Sequence, residues 1–344
     1  MQFGIFDHVD RVSRPLAQQL DERIRYVAAA EELGFYAYHV AEHHASPINM
    51  VPVPGLFLAA AARATKKIRL GPLVYLLPLY SPLRLIEEIA ILDHLSNGRF
   101  EIGVGRGVSP FELNYHKVSY EDSREIFHDA YETVLEGLTH ERLTHKGKYF
   151  TYDDVPMELR PLQQPHPPFW YGASNPESSR WAGEQGCHFV TLGAIKSATA
   201  NVAAFKEGIA KRGGASIPKP EFSGGAAAGV HRQMFVAETD EEARRIGKPF
   251  HEQHGWSLSK LRRENREYPG FHRAHPETFE DAIKQRTIIY GSPATVREEI
   301  AHQVDELGLN YVIGSFFFGN MQLDDALRSM RLFAAEVMPA FAKL

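Results

Sequence analysis

Glu42, His43 and His44 stand side by side where a short apolar stretch, Phe35 to Val40, runs out. A carboxylate beside two imidazoles is a set for moving protons near neutral pH, where histidine changes charge most easily. The same residue types suit zinc or iron. Adjacent histidines on an extended segment point to opposite sides, however, and rarely bind one metal. A plain polar loop is the third reading, and the residues alone leave all three open.

Other segments offer complementary chemistry. Gly103-Val104-Gly105-Arg106-Gly107 follows a second apolar stretch. Glycines let backbone N–H groups approach a ligand, and arginine can grip a phosphate through two bonds. A tight turn with a surface arginine is the alternative. The dinucleotide spacing G-x-G-x-x-G is absent. Gly172-Ala173-Ser174-Asn175-Pro176, with Ser178 and Ser179 beyond, opens a helix. Helix N-termini attract phosphate and serines add donors, although Ser174 or Asn175 could serve only as a cap. Asp7-His8 follows the first apolar stretch and lacks the paired histidines that open barrel-type metal hydrolases.

These segments need a frame that brings them together, and the periodicity supplies one. Phe3–Phe6, Phe35–Val40, Ile68–Leu77 and Phe100–Val104 read as strands, as do 169–172, 188–192, 230–237 and 311–316. Helical patterns separate them, beginning with Leu16, Leu20, Ile24 and Val27 on one face and Gly34 as the stop. Eight strands, each followed by a helix, predict an α/β fold: a (β/α)8 TIM barrel with loop insertions, formed by residues 1–344 as one domain. A doubly wound sheet is the other candidate. Residues 257–290 are polar and rich in arginine. They break the alternation and are expected to form an insertion able to close as a lid. In a barrel the loops after the strands share one mouth, so all the candidate segments converge there.

Composition narrows the function classes. The net charge of −5, from 38 basic and 43 acidic residues without long blocks, gives no nucleic-acid surface. One cysteine excludes a disulfide framework and suits a reducing compartment. Met1 to Phe6 is too short and uncharged for a signal peptide, and no apolar run approaches a membrane span. The expected location is the cytoplasm.

The ordered set of segments resembles the bacterial luciferase-like flavin monooxygenases. The matching pieces are Met1–Phe6, Ala41-Glu42-His43-His44, Gly98-Arg99-Phe100 with Gly105-Arg106-Gly107, Trp181 to Gly186, and Met330 to Phe333 with Val337-Met338-Pro339. They span nearly the whole chain. The resemblance implies a two-component monooxygenase. Reduced FMN from a separate flavin reductase would activate dioxygen, through a flavin hydroperoxide, to oxidise a small organic, partly hydrophobic substrate.

Carried over residue by residue, the resemblance makes His43 the acid/base group and Glu42 the carboxylate near the flavin ring. It places Arg106, Ser174 and Ser178 at the flavin phosphate, and Leu73-Val74 where a non-proline cis peptide lies beneath the flavin. It implies no metal. Ile48, Met50, Val51 and Val53 are candidate substrate walls. Two positions depart from the luciferase α-subunit pattern: Gly105 replaces a cysteine and Ala173 a carboxylate. The flavin face is thereby altered, and light emission is not expected. A deazaflavin-dependent oxidoreductase of the same superfamily, a non-catalytic flavin-binding protein and a metal-dependent hydrolase are the alternatives. A homodimer is expected, as the commonest assembly.

Overall fold

A computed structural model describes residues 1–264 and 278–342. Its strands, in chain order, are β1 (Gln2–Asp7), β2 (Ala37–Val40), β3 (Arg69–Pro72), β4 (Tyr75–Leu76), β5 (Ile102–Gly105), β6 (Arg142–Lys146), β7 (Thr151–Pro156), β8 (Phe169–Ala173), β9 (His188–Thr191), β10 (Ala228–Val236), β11 (Ile288–Gly291) and β12 (Tyr311–Ser315). Ten of them form one sheet in the order β3-β2-β1-β12-β10-β9-β8-β5-β4, with β11 beside β10. Every pairing in this sheet is parallel.

The sheet closes on itself. β4 resumes the course of β3 after Leu73-Val74 and pairs with β5, while Leu70 within β3 bridges Phe100. With β3 and β4 taken as one interrupted strand, the ring is the expected TIM barrel. Glycine permits the closure. A Cβ on Gly103 would lie 2.0 Å from the Pro72 carbonyl oxygen, so only hydrogen fits where β5 meets the end of β3.

The helices between strands bury one face against the barrel. In Leu16–Glu32 the buried face includes Tyr26, Val27 and Ala30, which join the outer core with Phe3, Phe35 and Phe333. Each large apolar side chain buried there contributes about 1.5–3 kcal/mol. A second, smaller core fills the barrel interior with Phe6, Trp170, Val190, Tyr311 and Ile313. Trp170 is therefore core, as its strand position predicts. The Gly98-Arg99-Phe100 segment also has a structural use. The Arg99 guanidinium donates to the carbonyls of Ala62, Thr65 and Ile68, satisfying the end of the helix Pro54–Ala64 and the turn after it.

Three features differ from the sequence reading. The strand Ile68–Leu77 is interrupted, at the Leu73-Val74 peptide, which is cis as the resemblance implies. The stretch 257–290 is not all insertion. Helix Asp240–Leu258 runs into it, Phe279–Lys284 is helical, and β11 pairs with the far end of β10. Ile288-Ile289-Tyr290 is an apolar run too short to show a period, which hid it behind its polar neighbours. Of the stretch expected to close as a lid, residues 265–277 lie outside the described residues. Finally, β6 and β7 form an antiparallel hairpin outside the barrel. It lacks clear apolar alternation and is held instead by Asp129, which accepts from the backbone N–H of Phe150 and pairs with His145. Among the described residues, no helix is long and apolar enough to cross a membrane.

Candidate active site

The segments singled out in the sequence all follow the carboxyl ends of parallel strands, so they share the mouth. Glu42 and His43 follow β2, Leu73-Val74 follows β3, Gly105 and Arg106 end β5, and Ser174 follows β8. β4, β5 and β8 are successive neighbours in the sheet. The last three segments are therefore adjacent strand ends.

Glu42 is buried and fully engaged. One oxygen lies 2.9 Å from Nε2 of His44. The other accepts from the Tyr80 hydroxyl at 2.8 Å and the Leu76 N–H at 3.2 Å. Burial raises its pKa, and these three partners only partly oppose the shift. Glu42 thus ties the β2 loop to the segment after the β3 break.

His43 turns the other way, as adjacent residues on an extended chain must. Its Nδ1 lies 3.1 Å from Oε1 of Glu112, which also accepts the His44 N–H at 2.7 Å. Glu112 sits on the short helix Pro110–Tyr115, capped by Ser109, whose hydroxyl accepts the Glu112 N–H. Burial disfavours charge on both partners, but their mutual attraction outweighs it. The His43 pKa is raised and that of Glu112 lowered. His43 remains 24% exposed, open to the mouth.

Further imidazoles surround it. The His8 ring stacks on His43 with centroids 5.7 Å apart and meets His254 edge-on at 5.1 Å. Nδ1 of His254 is 2.9 Å from Oδ2 of buried Asp10. Across Phe6 lies His231, whose pKa burial pushes down to about 3; its Nε2 is 2.8 Å from the Ser315 hydroxyl. Among the described residues, no group of three or more His, Cys, Asp or Glu side chains is arranged to hold a metal ion.

The second corner of the mouth suits an anion. Arg106 is half-buried and its guanidinium contacts a neutral partner, the Tyr120 phenol: 3.2 Å from the hydroxyl and 4.8 Å above the ring. No carboxylate lies within ion-pair distance of it among the described residues. Burial raises the pKa of Tyr171, against the opposing influence of the Ser178 hydroxyl and the charge of Arg106. That links the arginine to the start of helix Pro176–Glu184. Asn175 is the cap there, accepting the Ser178 N–H at 2.9 Å. Ser174 precedes it and is half-buried. A guanidinium, two hydroxyls and a helix N-terminus form a donor set that fits a phosphate. Beside it, a Cβ on Gly105 would come 2.5 Å from Cγ2 of Val74. The glycine that replaces cysteine here thus leaves the space that Val74 occupies.

Of the expected substrate walls, Ile48 and Val51 are buried, Val53 faces outward, and Met50 lines an open cleft. Reading the sequence overlooked Glu112, Tyr80, His231 and His254. For Glu112 a signal existed: Ser109-Pro110-Phe111-Glu112 has capping-box spacing directly after the glycine loop. For the others no local signal existed, because each reaches the mouth from its own distant segment.

One mouth of the parallel barrel thus carries a histidine–carboxylate pair and a phosphate-type corner. Comparison with known proteins fixes the family. Residues 1–311 match the luciferase-like monooxygenase model, and the chain belongs to that family. It is 36% identical to the uncharacterized protein y4wF of Sinorhizobium fredii, over 98% of this chain and 96% of that one. It is 33% identical to the oxygenase component of the flavin-dependent trigonelline monooxygenase of Acinetobacter baylyi, over 55% of this chain and 53% of that one. Among solved structures, monooxygenase RslO1 from Streptomyces bottropensis superposes with a TM-score of 0.88 at 26% identity, over 99% and 100% of the two chains. Two others share the fold at 22% identity. One is the oxygenating constituent of 3,6-diketocamphane monooxygenase of Pseudomonas putida, in complex with FMN, with a TM-score of 0.80 over 98% of each chain. The other is the coenzyme F420-dependent tetrahydromethanopterin reductase of Methanopyrus kandleri, with a TM-score of 0.74 over 99% of each.

Proposed function

We propose that the protein is the oxygenase of a two-component, FMN-dependent monooxygenase that oxidises a small organic, partly hydrophobic substrate. The observation that carries the reading is Arg106, a half-buried cation without a carboxylate partner among the described residues, beside a helix start on the mouth that also holds His43. Arg106, Ser174 and Ser178 would hold the FMN phosphate, and Gly105, Leu73 and Val74 would line the floor beneath the ring. Reduced FMN, supplied by a separate reductase, provides the electrons that activate dioxygen.

The chain's own residues then govern protons and water. His43 holds a proton at its ring, favoured by Glu112, with a quarter of its surface toward the mouth. Glu42 orients the loop through His44, Tyr80 and the Leu76 N–H. His8 and His254 crowd the same space and displace water, which strengthens each remaining electrostatic contact. The likeness to an oxygenase component supports the two-component reading. The setting we assign is the cytoplasm, with the chain as a homodimer.

Stopped-flow absorbance tests this. Protein loaded with reduced FMN is mixed with aerated buffer. A transient species distinct from both reduced and oxidised flavin is the expected result. Oxidation at the rate of free reduced FMN would overturn the reading. Tight binding of a reduced deazaflavin that is inert to oxygen would replace it with the reading suggested by the F420-dependent fold relative.

A further inference from the structure

A cleft of about 440 Å³ opens beside the mouth, immediately past His44. One wall is built from the loops after β1 and β2. These are joined by backbone bonds from Arg11 N to Pro47 O at 2.7 Å and from Met50 N to Val9 O at 3.0 Å. The other wall comes from the helices after β10 and carries Trp256 and Lys260. His254 lies two residues before Trp256 and reaches His8 and Asp10 inside the mouth. The cleft therefore adjoins the space around His43.

The lining has a definite chemistry. Trp256 leaves 53% of its surface open, an unusual exposure for an indole. Met50, Pro47 and Pro52 add apolar surface around it. Arg11 and Lys260 are the charged lining residues, and no acidic side chain lines the cleft among the described residues. Lys260 is partly neutralised by Glu264 at 3.3 Å. Arg11 makes no ion pair within the described residues. Arg263 stacks over Trp256 at 4.8 Å, adding positive charge at the rim.

From this we infer that the cleft binds organic acids with a flat, apolar body, the carboxylate on Arg11 and the ring against Trp256. Arginine recognises carboxylates through paired hydrogen bonds, and an indole face takes a planar apolar body. That such an acid is the substrate, delivered from the cleft toward His43, rests on the proposed monooxygenase reading.

The test needs no flavin, so its outcome is separable from that of the oxygen reaction. Binding of benzoate and of its neutral analogue benzamide to the full chain is followed by ligand-observed NMR. Benzoate should bind at least about tenfold more tightly than benzamide, the scale of one charge-assisted contact. Arg11→Gln should abolish the difference, and Trp256→Ala should weaken both ligands. Thermal unfolding checks that each variant is folded. Equal binding of the two probes to the unaltered chain, binding of neither, or an Arg11→Gln protein that still prefers benzoate would each overturn the inference.

Discussion

Nδ1 of His43 lies 3.1 Å from Oε1 of Glu112, across 69 residues of sequence. The contact joins the β2 loop to the helix after the glycine loop, two segments that the barrel brings to one mouth. It also sets the charge at His43. Burial alone would lower the imidazole pKa below its ordinary 6.5, and the Glu112 carboxylate reverses the sign. Replacing Glu112 by glutamine removes the reversing charge but keeps the shape. The His43 titration, followed by NMR, should then move to lower pH.

The same pair gives a stability profile with a defined window. A raised histidine pKa contributes stability that is complete below about 6.5 and fades as pH rises through the folded value. A lowered glutamate pKa contributes above about 4.5 and fades as pH falls through its folded value. The advantage of the wild type over Glu112→Gln should therefore peak between those two values, at about 1–3 kcal/mol. Denaturant unfolding at a series of pH values measures it. A difference that is flat across the range would show that the two groups are not ion-paired.

If His43 manages the reacting proton, His43→Gln should keep flavin affinity and lose productive chemistry. Proton transfer by a positioned side chain is worth about 10²–10⁴ in rate. Product formed per flavin oxidised should fall while hydrogen peroxide rises. Unchanged coupling of flavin oxidation to product would remove His43 from the mechanism.

Arg106 is assigned to a phosphate, which gives a selective prediction. Arg106→Ala should weaken FMN binding by about 10–100-fold, the worth of a charged hydrogen bond. Riboflavin has no phosphate, and its affinity should hardly change. Calorimetric titration with both ligands separates this from general damage to the site, which would weaken both alike.

The barrel was legible because its signals are local. Leu20, Ile24 and Val27 recur at helical spacing and pack on the core, although Leu16 at the start of that face is exposed, and short runs such as Phe35–Val40 and Phe100–Val104 mark buried parallel strands. Strand ends then located Glu42, His43, Arg106 and Ser174 without any tertiary information. What stayed hidden is what only tertiary contact defines. Glu112 becomes a partner of His43 because β2 and β5 end on the same side of the barrel. His254 becomes a neighbour of His8 because a helix after β10 packs against the loop after β1. The strand β11 vanished among polar residues because four residues carry no readable period. The hairpin β6–β7 takes its hold from Asp129, a residue on the preceding helix, rather than from an apolar face.

The space at Gly105 offers the last test, because it links the glycine loop to the β3 break sterically. A Cβ there would sit 2.5 Å from Cγ2 of Val74, closer than packed carbon atoms approach. Gly105→Ala should therefore cost about 1–3 kcal/mol, the range for overpacking. Val74→Ala removes the colliding methyl groups. If the collision is the cause, the double variant should be more stable than Gly105→Ala alone, although two changes have been made. Neighbouring residues in contact are expected to be non-additive in this way. Denaturant unfolding of the four proteins closes the cycle. A double variant whose losses simply add would place the cost of Gly105→Ala in the backbone. The larger Gly105→Cys should displace Val74 further, and FMN affinity measured alongside would report whether the floor beneath the proposed ring position moves with it.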